Sequence, residues 1–441
     1  MSTIAVVGGG IAGLTAGFRL ASQHDVVVFE GERAPGGKIR SEQIDGYLFE
    51  AGPSGFLSSA DDVRALAGEL GLADAVIEAA PAAKKRFIYW NGKLHRLPGK
   101  PPEMIAMSLL SASGKLRAIG ELFVPRRAGG DADDESVYAF MDRRFGHEVA
   151  ERIAAPALFG ISGGNATSTS VAAVFPRLTS LERERGSVIR GLLGASRRPA
   201  RLCTFAAGGM QRLTDRLAER LGNRLRLGCS VTRIERHGSG WRLLHDDGDV
   251  VAERVIVATP SGTSARLLYG VDAALAAQLR EITYAPMRVI GMAFRGADVA
   301  APVDGFGFLV ARGSGVRILG ATYTSTLVPE QAPPGTVYVR VFMGGAADPA
   351  AGALEAGAAR AIAQADLARV LGITAEPIAY HEANWPKAIP QYALGHRARV
   401  NTIEEMTARH PGLAFAGNAY RGLGVGDTVT DALAVAARIG A

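Results

Sequence analysis

The first thirty residues constrain the fold most. Thr3-Ile-Ala-Val-Val7 is an apolar run of strand length, Gly8-Gly-Gly-Ile-Ala-Gly13 follows without a break, and Leu14 to Ala21 has helical spacing. Val26-Val-Val-Phe-Glu30 then predicts a second strand that ends in a carboxylate. In such a strand, turn, helix, strand unit Gly8 permits the tight turn. Gly10 lets backbone approach a pyrophosphate, and Gly13 lets the helix pack on the strand. The free N–H groups at the helix start, from Gly9 through Ile11 and Ala12, suit phosphate oxygens. Glu30 stands about 20 residues beyond Gly10, beside Gly31, where a ribose hydroxyl needs an acceptor. A glycine-rich loop without a ligand has a similar look. Here strand, spacing and acid agree, and together they predict a dinucleotide-binding unit.

Length and composition set the scale around that unit. The chain of 441 residues is 48% hydrophobic and 21% charged, which rules out general disorder and allows two or three domains around a cleft. Glycine is abundant, 55 residues, and follows no Gly-X-Y period, so many turns or close backbone approaches are expected. The net charge of +6 comes without a long basic run, which fits an anionic substrate or lipid surface and argues against nucleic acid. Cys203 and Cys229 cannot build a disulfide framework or a four-thiolate site, so a reduced, cytoplasmic compartment is expected. No secretory signal and no 18-residue apolar run are read.

Further along, Glu32-Arg-Ala-Pro-Gly-Gly-Lys-Ile-Arg-Ser41 centres on Gly36 and Gly37, with Lys38 behind them. This resembles the double-glycine motif of the FAD-dependent amine oxidase superfamily, which favours FAD over NAD. The leading arginine is displaced, since Ala34 holds its position and Arg33 stands one residue early. Glu50-Ala-Gly-Pro-Ser-Gly-Phe56 makes a turn whose Gly52, Pro53, Ser54 and Gly55 are cofactor candidates, although a surface turn would read alike. Ser59 and Asp62 suggest a capping box for a helix with Val63, Leu66, Ala67 and Leu70 on one face. From Pro81 to Pro199 the pattern reads as mostly helical, with joints at Pro98, Pro101-Pro102 and Pro125 and an acidic run from Asp131 to Glu135. Met104 to Val124 is amphipathic, a solvated face more readily than a membrane contact. Met210, Leu213, Leu217 and Leu221 mark a core helix, short strands run to Arg254-Val-Ile-Val257, and Tyr284 to Gly345 reads as antiparallel sheet. Ala353 to Leu371 reads as a helix. Gly412 to Asn418 predicts a last strand, and Asp427 a cap for a helix from Thr428 to Ile439.

Over nearly its whole length the sequence resembles the protoporphyrinogen oxidase family and its coproporphyrinogen oxidase relatives of the FAD type. The segments that carry the resemblance include Lys85-Arg-Phe87, Phe175-Pro176, Gly305-Phe-Gly-Phe-Leu-Val310, Ile389-Pro-Gln-Tyr392, Leu394-Gly-His396 and Gly417 to Asp427. The resemblance implies an α/β fold: a discontinuous Rossmann-like FAD domain (1–80, 201–265, 405–441), a helical, membrane-associating type of domain (81–200) and a mixed-sheet substrate domain (266–404). It assigns Arg86 to a propionate of a tetrapyrrole, Phe306, Gly307, Leu309 and Phe342 to the macrocycle faces, and Gly160 to a close backbone approach. Val231 would meet adenine, and Asn418, Leu423, Gly424, Val425 and Trp385 the flavin ring. Ser54 stands where some members carry arginine or asparagine.

The implied activity is oxidation of protoporphyrinogen IX by removal of six electrons in three cycles, with dioxygen accepting them as hydrogen peroxide. The cofactor carries that chemistry, so no catalytic side chain and no metal are expected, and His396 is read as structural. A peripheral place on the inner face of the cell membrane, contact with a haem-pathway enzyme and a homodimer stay open. So do coproporphyrinogen III as substrate, another amine- or carotenoid-oxidising flavoenzyme, an NAD dehydrogenase and a non-catalytic tetrapyrrole binder.

Overall fold

The computed structural model describes residues 2–99, 103–127, 134–193, 200–300 and 303–441. The Pro101-Pro102 joint, Pro199 and the 131–133 part of the acidic run lie outside the described residues.

Thr3–Val7 is the middle of a five-stranded sheet in the order Leu225–Arg226, Asp25–Phe29, Thr3–Val7, Arg254–Val257, Leu413–Phe415. Every pairing is parallel. Successive strand residues face opposite ways, and here both faces are apolar. Ile4 and Val6 enter one core, where helices Ile11–Leu20, Gln211–Leu221 and Val425–Gly440 bring Leu14, Leu213, Leu217, Val429 and Val435. Ala5 and Val7 enter the other, beneath the antiparallel strands Val231–His237, Gly240–His245 and Gly248–Ala252. A parallel sheet needs cover on both faces, and this sequence supplies it from both chain ends and from residues 211–252. The strand Leu413–Phe415 pairs with Arg254–Val257 at the edge of the sheet, and the helix after it packs on the first helix.

A second sheet of seven strands has the order Ala379–Pro390, Tyr284–Arg295, Thr336–Gly344, Gly320–Thr322, Gly307–Val310, Arg86–Trp90, Lys93–Arg96. It is mixed, because Gly307–Val310 runs parallel to Arg86–Trp90 while its other pairings are antiparallel. Ile290, Met292, Val339 and Val341 pack against the helix Ala356–Leu371. The alternate residues Met287, Val289 and Phe342 face Phe49 and Ala51 of the first domain.

Several local expectations are corrected. The stretch after Pro81, read as mostly helical, also holds, after a short helical turn at Pro81–Lys84, a hairpin of Arg86–Trp90 and Lys93–Arg96. Its signal is Asn91-Gly92, both at positive φ (48° and 77°), the pair that favours a two-residue hairpin turn. The helix after Ser59 runs Asp61–Glu69 without a side-chain cap, although its apolar face is buried as expected. The later helix begins at Ala356, after a short turn at Pro349–Ala353. Met104 to Val124 forms three pieces, Glu103–Ala106, Ala112–Ile119 and Gly120–Phe123, since the Ser111 hydroxyl accepts the Gly114 N–H and restarts the helix.

The helical segment is held by ions. Arg144 is fully buried, and its guanidinium donates to Glu121, to the Val124 carbonyl (2.9 Å) and to the Gly186 carbonyl (3.0 Å). Burial alone would push the Glu121 carboxyl up. Hydrogen bonds from Ser187, Arg144 and the Val188 and Ile189 N–H groups outweigh it and hold the group below the usual range.

Candidate functional site

At the N-terminal turn the backbone comes first. A Cβ at Gly13 would collide with the Gly8 carbonyl, so only glycine lets the helix sit this close to the strand. The Gly9 N–H donates to Glu30 at 2.7 Å, and the other Glu30 oxygen accepts the Glu32 N–H at 2.8 Å, which fixes the carboxylate at the sheet edge. The Cys229 N–H reaches the Glu30 carbonyl, and a Cβ at Gly31 would press on Ser230, so the segment leading into Val231 lies beside Glu30 and Gly31. Gly36 donates to the Gly9 carbonyl at 2.8 Å and Gly37 lies against Gly10. The double-glycine segment is therefore folded onto the first turn.

These residues fit a dinucleotide. The helix Ile11–Leu20 has Gly10 at its N-cap, no capping side chain and no acid in its first turn. Its leading N–H groups thus keep their preference for an anion. A Cβ on Gly10 would meet nothing within 4 Å, so the space beside those donors is open.

At the other chain end, Gly417 donates to Asp431 at 2.9 Å and its α-carbon faces Ala12 of the first helix. The final helix starts at Val425 with Gly424 as N-cap, three residues before the expected start. Asp427 lies inside its first turn, and its carboxylate accepts the Gly424 N–H at 3.2 Å. Asn418 is held through its carbonyl by the Tyr392 hydroxyl at 2.7 Å, and Leu423 is half-buried in the loop before the helix. His396 stacks on Tyr392 with centroids 3.9 Å apart and points Nε2 at the Tyr420 carbonyl. Burial pushes its pKa down to about 4, as suits a neutral structural ring.

The two sheets meet at Lys38, Gly52 and Trp385. A Cβ at Gly52 would collide with the Lys38 carbonyl, and one at Gly55 with the Cys203 carbonyl. Pro53 and Ser54 lie half-buried between them. Trp385 donates its indole N–H to the Ala51 carbonyl at 2.8 Å. The Lys38 ammonium sits 4.8 Å from the Tyr284 ring centroid, and burial lowers its pKa to about 8.

On the same face of the second sheet, Leu309 and Phe342 both pair with Gly320, so two apolar side chains flank a bare strand. Phe342 shares an apolar cluster with Trp385 and Ala51, which joins the flavin and substrate candidates. Leu309 is touched by Gly160, the exposed glycine of helix Ala155–Ser162. Gly307 pairs with Arg86, whose guanidinium lies 5.2 Å over the Phe306 ring. Phe306 turns instead into a side cluster with Leu327 and Val328, and Arg86 covers its outer face.

Sequence reasoning missed Leu319, Tyr284 and Arg340. Leu319 packs with Phe342 and Trp385. Arg340 is buried, donates to the Gly52 carbonyl at 3.0 Å and lies 5.0 Å over Phe342. Its signal was present: one charge inside Val337-Tyr-Val-Arg-Val-Phe-Met343, an otherwise apolar strand.

Known proteins resemble this chain over nearly its whole length. The model of the flavin containing amine oxidoreductase family matches residues 11–440. A rice (Oryza sativa subsp. japonica) chloroplastic protoporphyrinogen oxidase is 30% identical, covering 98% of this chain and 87% of the relative. The coproporphyrinogen III oxidase of Bacillus subtilis (strain 168) is 29% identical over 97% and 95%. A solved structure from Exiguobacterium sp. 255-15 is 25% identical with a TM-score of 0.87, covering 100% of this chain and 98% of that one. A redesigned putrescine oxidase, 20% identical with a TM-score of 0.74 and covering 99% and 98%, shares the fold. The chain belongs to the flavin containing amine oxidoreductase family.

Proposed function

We propose that this chain oxidises a porphyrinogen, converting protoporphyrinogen IX to protoporphyrin IX while three dioxygen molecules become three hydrogen peroxide molecules. FAD is the cofactor, and it supplies two-electron oxidation, so three cycles remove the six electrons. The observation that carries the reading is the apolar row of Leu309, Gly320 and Phe342, set against Trp385 with Arg86 beside its Leu309 end. The glycine turn and Glu30 hold the dinucleotide. Leu309 and Phe342 orient the apolar macrocycle and exclude water, and Arg86 takes a propionate with its planar guanidinium. Orientation of this kind is the protein's share of the catalysis.

Turnover in air, read as porphyrin fluorescence and peroxide, tests the assignment. Arg86→Ala is expected to lower kcat/KM about 10–100-fold, mainly through KM, with flavin content unchanged, because one charge-assisted pair is lost. A variant with wild-type KM would remove Arg86 from the site.

We also propose a peripheral place on the inner face of the cell membrane. No helix among the described residues is long and apolar enough to cross a membrane. Yet Leu116 (72% exposed), Phe123 (82%) and Leu193 (73%) stand on the packed segments Ala112–Ile119, Gly120–Phe123 and Val188–Leu193. Neighbouring exposed apolar groups mark contact surfaces. The protein should sediment with anionic phosphatidylglycerol vesicles, and Phe123→Ser with Leu193→Ser should stop most of it. Equal sedimentation of both proteins, or none by the wild type, counts against this.

A further inference from the structure

Among the described residues, Arg340 is a buried cation without a counter-ion in contact. Among its nitrogens, one donates to the Gly52 carbonyl at 3.0 Å, and Nε has no partner. Glu50 is the charge that acts on it, but that carboxylate is occupied by the Ser41 hydroxyl (2.6 Å) and the Met210 N–H (2.8 Å) and makes no ion pair with it. Burying a guanidinium costs free energy unless an anion or a full set of acceptors meets it. The cleft it lines holds Ser54, Thr322, Thr324 and Gln331, which are polar and uncharged, and the Glu50 carboxylate, which Ser41 and Met210 already occupy.

The sheet register gives Arg340 a meaning. Arg340 pairs with Thr322, Thr322 with Gly307, and Gly307 with Arg86. The two arginines therefore stand on one face in one row, three strand spacings or about 14 Å apart at the backbone. Between them are a threonine and a glycine. The neighbouring row is Phe342, Gly320 and Leu309, the apolar one. The two guanidinium groups lie over different rings, Arg86 over Phe306 and Arg340 over Phe342, so they do not converge on one anion.

We propose that Arg340 is a second carboxylate-binding residue, which receives a substrate carboxylate on the side of the macrocycle away from Arg86. This rests on the porphyrinogen reading and extends its substrate class. The propionates of protoporphyrinogen IX stand on two neighbouring pyrroles, at one edge of the ring, whereas coproporphyrinogen III carries a propionate on each of its four pyrroles. Only the tetracarboxylate can engage both arginines across that face, so the chain takes it as well and holds it more tightly.

The test uses the flavin-loaded protein and two oxidised products, coproporphyrin III and protoporphyrin IX, with binding read by fluorescence quenching. Arg340→Gln keeps a donor for the Gly52 carbonyl and removes the charge. It is expected to weaken coproporphyrin III about 10–100-fold and protoporphyrin IX less than about 3-fold, the loss of one charge-assisted pair. Flavin content and midpoint potential should stay at the wild-type values. Equal losses for both porphyrins overturn the proposal, and so does a shifted potential, which would turn Arg340 toward the cofactor. A wild type that oxidises neither porphyrinogen overturns the parent reading, and this one with it. If Arg340→Gln fails to fold, Arg340→Lys is measured in its place, and retention of the wild-type preference for coproporphyrin III supports the charge while its loss refutes it.

Discussion

A Gly10→Val protein is expected to fold normally and to purify without flavin absorbance. Gly10 has φ −73°, which any residue adopts, and a Cβ there meets nothing within 4 Å of the protein. The only cost in the fold is the exchange of an N-cap glycine, on the order of 1 kcal/mol. The isopropyl group would fill the space beside the free N–H groups of the first helix, the site we propose for a pyrophosphate. Flavin content should fall at least about 100-fold, and the protein should melt within about 3 °C of flavin-stripped wild type. Gly13→Ala should behave differently. Its single methyl meets the Gly8 carbonyl, so the helix must move off the strand at a cost of about 3 kcal/mol. A Gly10→Val protein that keeps its flavin would show that the turn holds no phosphate.

Glu121→Ala should cost about 3–5 kcal/mol, read as a fall in the urea midpoint. Arg144 would keep only the longer contact to Glu182 (3.4 Å) and its carbonyl partners, inside a site with no access to water. The Ser187 hydroxyl and the Val188 and Ile189 N–H groups would also lose their acceptor. Replacing both ions together, Glu121→Met with Arg144→Met, should recover only the part of the loss due to the unpaired charge, because the Ser187, Val188 and Ile189 donors still lack an acceptor. Flavin absorbance should be unaffected by either change, since the cluster lies in the helical segment. A Glu121→Ala loss under about 1 kcal/mol would mean that the pair is solvated in solution.

What the sequence disclosed followed physical locality. The Gly8 to Gly13 turn, Glu30 and the helix with Leu213, Leu217 and Leu221 were legible because spacing within a few residues fixes their geometry. Leu309 and Phe342 came from family resemblance. By composition they are ordinary core residues, and their opposition across Gly320 depends on the pairing of three strands distant in sequence. The row linking Arg86 to Arg340 was hidden for the same reason. The hairpin at Asn91-Gly92 was different: its turn signal is local, but the helical character of the surrounding stretch masked it. Asp427 misled through position, since an acid suited to an N-cap also serves at the third helical residue by reaching back to Gly424.

Anaerobic mixing of the purified protein with protoporphyrinogen IX, followed by admission of air, bears on all of this at once. The account predicts a yellow protein whose flavin absorbance bleaches on mixing and returns in air, with porphyrin fluorescence and peroxide appearing together. A colourless protein that takes up no added FAD, or a yellow one whose spectrum ignores the porphyrinogen, would contradict it.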